Sequence, residues 1–176
     1  MVKIKYVEGE LTDPISLVSD NGILVSTLIM HIVNDQGMMG SGVARALYEK
    51  WPKVRSEYIR WFNEPNTFDV GTAFRLGKTQ FVTVSPPSLY DIVVANMVGQ
   101  HMVGADEHGN PPIRYDALDS CLTHVKNYAE RFEFSVHMPY KMGADRARGD
   151  WNKIVQMVED ILCKNDIAVV VYKLKG

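Results

Sequence analysis

The chain has 176 residues, of which 46% are hydrophobic and 23% charged, a composition typical of one globular core. Its formal net charge of -2 argues against a nucleic-acid or acidic-membrane partner held by bulk charge. No apolar run is long enough for a signal peptide or a membrane span, and Cys121 and Cys163 fit reduced core thiols. We therefore expect one cytoplasmic domain over residues 1–176, with no membrane partner and with nucleic acid disfavoured.

The predicted elements alternate along the chain. Continuous apolar runs, typical of strands covered on both faces, predict strands at residues 2–7, 23–33 (as one or two pieces), 72–76, 81–84, 92–98, 134–138 and 167–174. Apolar stripes at helical spacing predict two helices within residues 41–62 and single helices at 113–132 and 151–162, the last capped by Asp150. Since helices must cover both sheet faces, we expect an α/β fold with three α/β/α layers and a mixed, mostly parallel sheet.

An apolar run feeds a glycine-containing segment at residues 39–47. Gly40 and Gly42 let the backbone turn sharply and approach a ligand, and the first N–H groups after Ser41 lack intrahelical partners. Such a segment predicts a cradle for a phosphate or pyrophosphate, although a plain strand–turn–helix junction would show the same pattern. The segment lacks the third glycine of a dinucleotide fingerprint, and the chain contains no complete phosphate-loop signature.

Two further loops follow apolar strands, one after Val98 and one after Pro139. Ligands in open α/β sheets bind beyond the carboxyl ends of strands, so these loops and the Gly40 loop are expected to converge. The polar loop at residues 101–112 is the longest and is the element we expect to be most flexible.

Three segments share their order and spacing with one known family. Residues 7–12 read Val-Glu-Gly-Glu-Leu-Thr, residues 31–44 place an asparagine at the end of a strand before the first glycine loop, and residues 139–151 form a second loop that ends in Gly-Asp-Trp. Together they resemble the macrodomain family, an ADP-ribose-binding α/β/α module. The subgroup most similar to this chain includes ADP-ribose-1''-phosphate phosphatases and terminal ADP-ribose glycohydrolases.

The resemblance implies a binding site for ADP-ribose or a close derivative, free or attached to a macromolecule. The adenine would lie near Glu10, the distal ribose near Asn34, and the pyrophosphate between the two glycine loops. The ligand-binding residues implied in this way are Gly9, Glu10, Leu11, Asn34, Met39, Gly40, Ser41, Gly42, Val43, Ala44, Met142, Gly143, Ala144, Asp145, Arg146, Ala147 and Arg148.

The second loop departs from the family pattern, because Asp145, Arg146 and Arg148 stand where glycines and a leucine are usual. A carboxylate about 4 Å from a pyrophosphate would cost on the order of 4 kcal/mol at an effective dielectric constant near 20. Either Asp145 turns outward or the two arginines compensate with contacts to phosphate oxygens. A solvated charged loop that touches no ligand explains the substitutions equally well.

The sequence is less specific about the reaction than about the ligand. No lysine occupies residues 93–109, where the resemblance would place a glycohydrolase nucleophile, and Ala147 replaces the assisting aspartate, so a lysine-adduct mechanism is disfavoured. The candidate catalytic residues are Asn34, which can hold the distal ribose, with His31 or Asp35 as acid–base groups. Core packing for His31 and a turn-forming role for Asp35 are the alternatives.

The resulting hypotheses fall into different classes. The first is a hydrolase of the distal-ribose phosphate or ester that uses water and needs no metal or cofactor, since the histidines lack metal-ligand spacing. The second is a non-catalytic ADP-ribose reader, and the third is an interaction module whose nucleotide pocket has changed.

Overall fold

A computed structural model describes residues 1–64 and 76–176. Its strands are β1 (Lys5–Glu8), β2 (Leu17–Val18), β3 (Leu24–Asn34), β4 (Thr79–Thr83), β5 (Ile92–Gln100), β6 (Phe134–Pro139) and β7 (Val169–Lys173). Its helices are α1 (Gly42–Lys50), α2 (Lys53–Asn63), α3 (Tyr115–Phe132) and α4 (Trp151–Ile161). The predicted strand at 72–76 falls mainly on residues 72–75, which lie outside the described residues.

The strands form one mixed sheet in the order β1-β7-β6-β3-β5-β4, and β2 pairs with β3 outside this path. Neighbours from β1 to β5 are parallel, whereas β4 runs antiparallel to β5 and β2 antiparallel to β3. The ladder between β3 and β5 shifts between Val33 and Asn34, which pairs with Gln100. Strands β6, β3 and β5 are therefore adjacent at the centre of the sheet, and their carboxyl ends lie side by side.

Helices cover both faces of the sheet. On one face, α3 and α4 bury an apolar stripe that includes Leu118, Leu122 and Ile154. On the other face, α1 and α2 bury Leu47 and Val54. Each of these side chains contributes about 1.5–3 kcal/mol on burial, so both layers are held by apolar packing. The predicted three-layer α/β/α class is confirmed.

The element boundaries agree closely with the sequence pattern. The run predicted at residues 23–33 forms one continuous strand, Leu24–Asn34. Helix α3 begins at Tyr115 rather than at Ile113, whose N–H donates to the Ala147 carbonyl at 3.1 Å. The predicted N-cap of α4 is confirmed, since the Asp150 carboxylate accepts from the N–H groups of Asn152 and Lys153 at 2.9 and 3.3 Å.

The loop expected to be flexible carries its own hydrogen-bond network. Asp106 Oδ1 accepts from the N–H groups of His108 and Asn110 at 2.9 Å, and Asp106 Oδ2 accepts from Arg114 at 3.2 Å. Arg114 also donates to the carbonyl of Pro111. The hydrogen bonds from Asn110 and His108 and the charge of Arg114 lower the pKa of Asp106, and the network gives the loop a defined shape.

Both cysteines are buried free thiols, and burial raises the pKa of Cys121 to about 11. Within residues 1–64 and 76–176, no helix combines the length and apolar character needed to cross a bilayer.

Candidate functional site

A cavity of about 640 Å³ lies at the carboxyl ends of β3, β5 and β6. Its walls come from the end of β3, the start of α1, the end of β5 and the loop after β6. Most of the predicted ligand-binding residues line it, namely Asn34, Met39, Gly40, Ser41, Gly42, Val43, Ala44, Met142, Gly143, Asp145, Arg146 and Ala147. The structure thus brings the two predicted glycine loops to opposite sides of one opening.

Asn34 organises the turn that leads from β3 to α1. Its Oδ1 accepts from the N–H groups of Gln36 and Met38 at 3.0 and 3.2 Å, and its Nδ2 donates to the Met38 carbonyl at 2.6 Å. The Tyr58 hydroxyl, on α2, lies 2.7 Å from the Asn34 carbonyl oxygen and 2.9 Å from Oδ1. Asn34 is only 8% exposed. Its side chain lines the cavity, and its hydrogen bonds hold the loop in place.

The N-terminus of α1 opens toward the cavity without a side-chain cap. Ser41 is the N-cap residue, yet its hydroxyl makes no capping hydrogen bond, and no acidic residue lies in the first turn. Gly40 has no heavy atom within 4 Å of the position that a Cβ would occupy. Free N–H groups and the helix dipole favour an anion at this place by roughly 0.3–1 kcal/mol when exposed.

The second loop, between β6 and α4, is tightly packed against side chains of the core. Gly143 has φ of +76°, and a Cβ there would lie 2.8 Å from the Ile32 side chain and 3.1 Å from that of Ile154. The N–H of Gly149 donates to the Gly143 carbonyl at 2.7 Å, and a Cβ on Gly149 would lie 2.6 Å from that carbonyl oxygen. Only glycine fits either position without displacing the loop.

Arg146 spans the opening between the two loops. Its Nη1 donates to the Ser41 hydroxyl at 2.6 Å, and its Nε lies 3.7 Å from the position of a Cβ on Gly42. A guanidinium therefore lies directly over the uncapped helix N-terminus. Asp145 also lines the cavity and is exposed, whereas the neighbouring Arg148 is exposed and does not line it.

His31 belongs to the cavity lining, but it is almost fully buried and its Nε2 is engaged inside the protein. It is 2% exposed, and its Nε2 donates to Asn96 Oδ1 at 2.5 Å. Asn96 in turn donates to the Val54 carbonyl and to Gln80. Burial lowers the pKa of His31 to about 4, with the Asn96 hydrogen bond acting in the opposite direction, so the ring is neutral near pH 7.

Asp35 lies just beyond the cavity lining, with its carboxylate fully buried. It accepts from His101 Nδ1 at 2.6 Å, from the Met102 N–H at 2.9 Å and from Gln36 Nε2 at 3.1 Å. Burial by itself would raise the pKa of Asp35, but these hydrogen bonds outweigh it and hold the pKa below its usual value. Asp35 is therefore ionised and cannot contact a ligand directly.

Some predicted site residues lie away from the cavity. Gly9 and Glu10 follow β1, two strands away from β6 in the sheet order, where the Gly9 N–H bonds to the Lys173 carbonyl and the Glu10 side chain is exposed. Leu11 is buried in the apolar layer under α1 and α2. Ala144 and Arg148 belong to the second loop but are not part of the lining.

Sequence reasoning also missed part of the lining. The additional residues are Ile32, Val33, Met38, Val103, Pro139, Tyr140 and Lys141. All of them lie at or just after the ends of β3, β5 and β6, so strand-end position was the signal that could have found them. Among residues 1–64 and 76–176, no cluster of three or more histidine, cysteine or acidic side chains could hold a metal ion.

The fold and the paired glycine loops define an α/β/α module with a cleft at its strand ends, beside the uncapped N-terminus of α1. No protein-family model matches the sequence, and no curated protein matches it. A solved protein of unknown function from Bacteroides thetaiotaomicron is 36% identical, with a TM-score of 0.82 over 97% of each chain. A macrodomain protein from Streptomyces coelicolor is 32% identical, with a TM-score of 0.74 over 99% of this chain and 100% of the other.

This chain therefore belongs to the macrodomain family. Its fold also matches that of Thermosipho africanus DarTG, solved in complex with ADP-ribose, at 15% identity and a TM-score of 0.62 over 84% of this chain and 38% of the other.

Proposed function

We propose that the cavity binds ADP-ribose or a close derivative and that the protein hydrolyses the distal-ribose phosphate or ester of that ligand. The observation that carries the binding proposal is the pairing of an uncapped helix N-terminus with the Arg146 guanidinium across one opening. Both features attract a pyrophosphate, because free N–H groups donate to its oxygens and a guanidinium fork matches their geometry.

The family assignment and the cavity size support the same ligand. DarTG, which shares this fold over part of its chain, was solved in complex with ADP-ribose, and about 640 Å³ is within the range of small-molecule sites. In this arrangement Asn34 faces the distal ribose, and the pyrophosphate lies between residues 39–44 and 142–148. Glu10 lies away from the lined cavity, and we propose that it contacts the adenine where the ligand extends beyond that cavity.

Asp145 opposes this ligand and Arg146 favours it. With its carboxylate at the exposed mouth of the cavity, Asp145 lowers affinity through solvent-screened repulsion rather than through a buried charge conflict. We therefore expect binding to persist in the presence of Asp145.

The reaction proposed is phosphate release from ADP-ribose-1''-phosphate, with water as the nucleophile. A reader without catalytic activity is the second candidate, and the absence of lysine from residues 93–109 together with Ala147 in the second loop favours it. The two candidates share the pocket and differ only in turnover.

Isothermal titration calorimetry with ADP-ribose, using AMP and ADP as controls, tests the pocket first. We expect micromolar binding that is selective for ADP-ribose, since only this ligand fills both loops and the Asn34 end. Phosphate release from ADP-ribose-1''-phosphate then separates hydrolase from reader. No heat with ADP-ribose would mean that Asp145 and Arg146 have changed the ligand.

Asn34→Ala should sharply reduce phosphate release, and Tyr58→Phe is its matched control. The control removes a hydroxyl bonded to Asn34 while it keeps the carboxamide at the cavity wall. If both variants lose activity equally, Asn34 acts through the fold of its loop and not through the ribose.

A further inference from the structure

The Asp35 carboxylate is hydrogen-bonded to the imidazole ring of His101. Asp35 is fully buried, so it cannot reach a ligand, but its Oδ2 is 2.6 Å from His101 Nδ1. His101 is 34% exposed, and its Nε2 has no protein partner within the described part of the chain. An ionised carboxylate that accepts from Nδ1 fixes the ring tautomer and stabilises the imidazolium.

The backbone beside His101 is strained in a way that serves this pairing. Met102 has φ of 61°, in the left-handed region that residues other than glycine rarely adopt. This conformation allows its N–H to donate to Asp35 Oδ1 at 2.9 Å, while His101 donates to Oδ2. Strain of this kind persists only where the surroundings impose it, and it concentrates at functional sites.

His101 lies next to the cavity lining, which includes His31 but not His101 itself. It follows Gln100 and precedes Val103, both of which line the cavity, and its carboxylate partner directly follows Asn34. His31 and His137 are buried, with 2% and 0% exposure. His108 is exposed in the loop and pairs with Glu107, and His124 is exposed on α3.

We propose that His101 is the general acid–base residue of this macrodomain, held by Asp35, and that it acts on the distal-ribose end of the ligand. This inference rests on the proposed hydrolysis. It moves the acid–base role from Asp35, whose carboxylate is fully buried, and from His31, which is 2% exposed, to a ring that is 34% exposed.

The step balances without a metal or another reactant. Water attacks the phosphorus of the distal-ribose phosphate, and the bond between that phosphorus and the ribose oxygen breaks. The electron pair of the broken bond stays on the ribose oxygen, which takes the proton from His101 Nε2. The attacking water loses a proton that returns to His101, so the products are ADP-ribose and inorganic phosphate.

His101→Asn tests the role with little disturbance, because the asparagine Nδ2 can replace the ring Nδ1 as donor to Asp35 while no atom replaces Nε2. His108→Asn is the matched control, since it makes the same change elsewhere on the same loop, at a side chain that is 77% exposed. We expect kcat for phosphate release to fall at least about 100-fold in His101→Asn. KM and the Kd for ADP-ribose should stay within about threefold of wild type, and His108→Asn should behave as wild type.

Each other outcome contradicts the proposal in a distinct way. If the wild-type protein is active and His101→Asn retains its kcat, the role of His101 is wrong while the proposed function stands. If the wild-type protein binds ADP-ribose but releases no phosphate, the hydrolysis and the role of His101 are both wrong. If His101→Asn and a second variant, His101→Gln, both lose ADP-ribose binding, His101 shapes the pocket and does not transfer a proton.

Discussion

The two glycine loops that face each other across the cavity use glycine for different reasons. In the first loop, Gly40 has empty space where a side chain would be, and the helix behind it keeps its N–H groups free. In the second loop, Gly143 and Gly149 are pressed against isoleucine side chains and against the loop's own backbone. The first loop has free space for a ligand, whereas the second loop is packed against the core, although the sequence predicts a glycine-containing turn in both.

The largest expected effect separates these two roles by adding the same methyl group to each loop. Gly143→Ala should destabilise the protein by about 2–5 kcal/mol, because a positive φ and a crowded Cβ position act together. Gly40→Ala should change stability by less than about 0.5 kcal/mol, as expected for a site with free space, yet weaken ADP-ribose binding. Urea unfolding and calorimetry measure the two quantities. Equal stability losses would contradict the contrast.

A second prediction concerns the strands that carry the loops, since β3 and β6 each bury a histidine. Burial lowers the pKa of His31 and of His137 to about 4. Between about pH 6.5 and 4 the unfolded chain, with a histidine pKa near 6.5, binds protons that the folded chain does not bind. The free energy of unfolding is therefore highest above about pH 6.5 and falls as the pH drops toward 4. The loss should reach about 3 kcal/mol for each histidine.

Unfolding measured at several pH values checks the slope of this decline. His137 donates or accepts only inside the core, to Ser135 and the Tyr172 hydroxyl, so its ring protons should show no titration above pH 5 in nuclear magnetic resonance spectra. Titration of both core rings near pH 6.5 would show that they are hydrated.

A third prediction concerns the arginines of the second loop. Arg146→Ala should weaken ADP-ribose binding about tenfold, because it removes a charge-assisted donor that lies over the helix N-terminus. Arg148→Ala, on the same loop but outside the cavity lining, should change binding little. Equal losses in the two variants would indicate a general charge effect, which raised salt would abolish.

The smallest expected effect comes from Asp145→Asn. Removing an exposed carboxylate from the mouth of the cavity should strengthen ADP-ribose binding only a few-fold at low salt, and the gain should fade at high salt. Calorimetry at two ionic strengths is the measurement. A gain that persists at high salt would place the carboxylate against the pyrophosphate.

Much of the fold follows from the sequence, because the apolar runs and stripes are long. The continuous runs in β3 and β5 and the stripe in α3 are periodic over enough residues to leave little choice of structure. The α4 N-cap could be predicted because Asp150 acts on its own next residues. Local patterns of this kind do not depend on distant parts of the chain.

The candidate site could be predicted only in part from the sequence, because its contacts join residues that are far apart along the chain. Asp35 and His101 meet across two strand ends, and Arg146 reaches Ser41 from another loop. No spacing rule links such pairs. For the same reason Asp35 could be read as a turn former or a catalytic group, while the structure shows a buried carboxylate that orients a histidine.

The hydrogen bonds around Asn34 have a thermodynamic consequence. Its side chain and the Tyr58 hydroxyl already hold the first loop in a defined turn, so the conformational entropy of that turn is lost on folding and not on binding. A ligand that enters the cavity meets a preorganised wall and has little ordering to impose on it. Association should therefore be fast for a small molecule, and affinity should be decided by how quickly the bound ligand leaves.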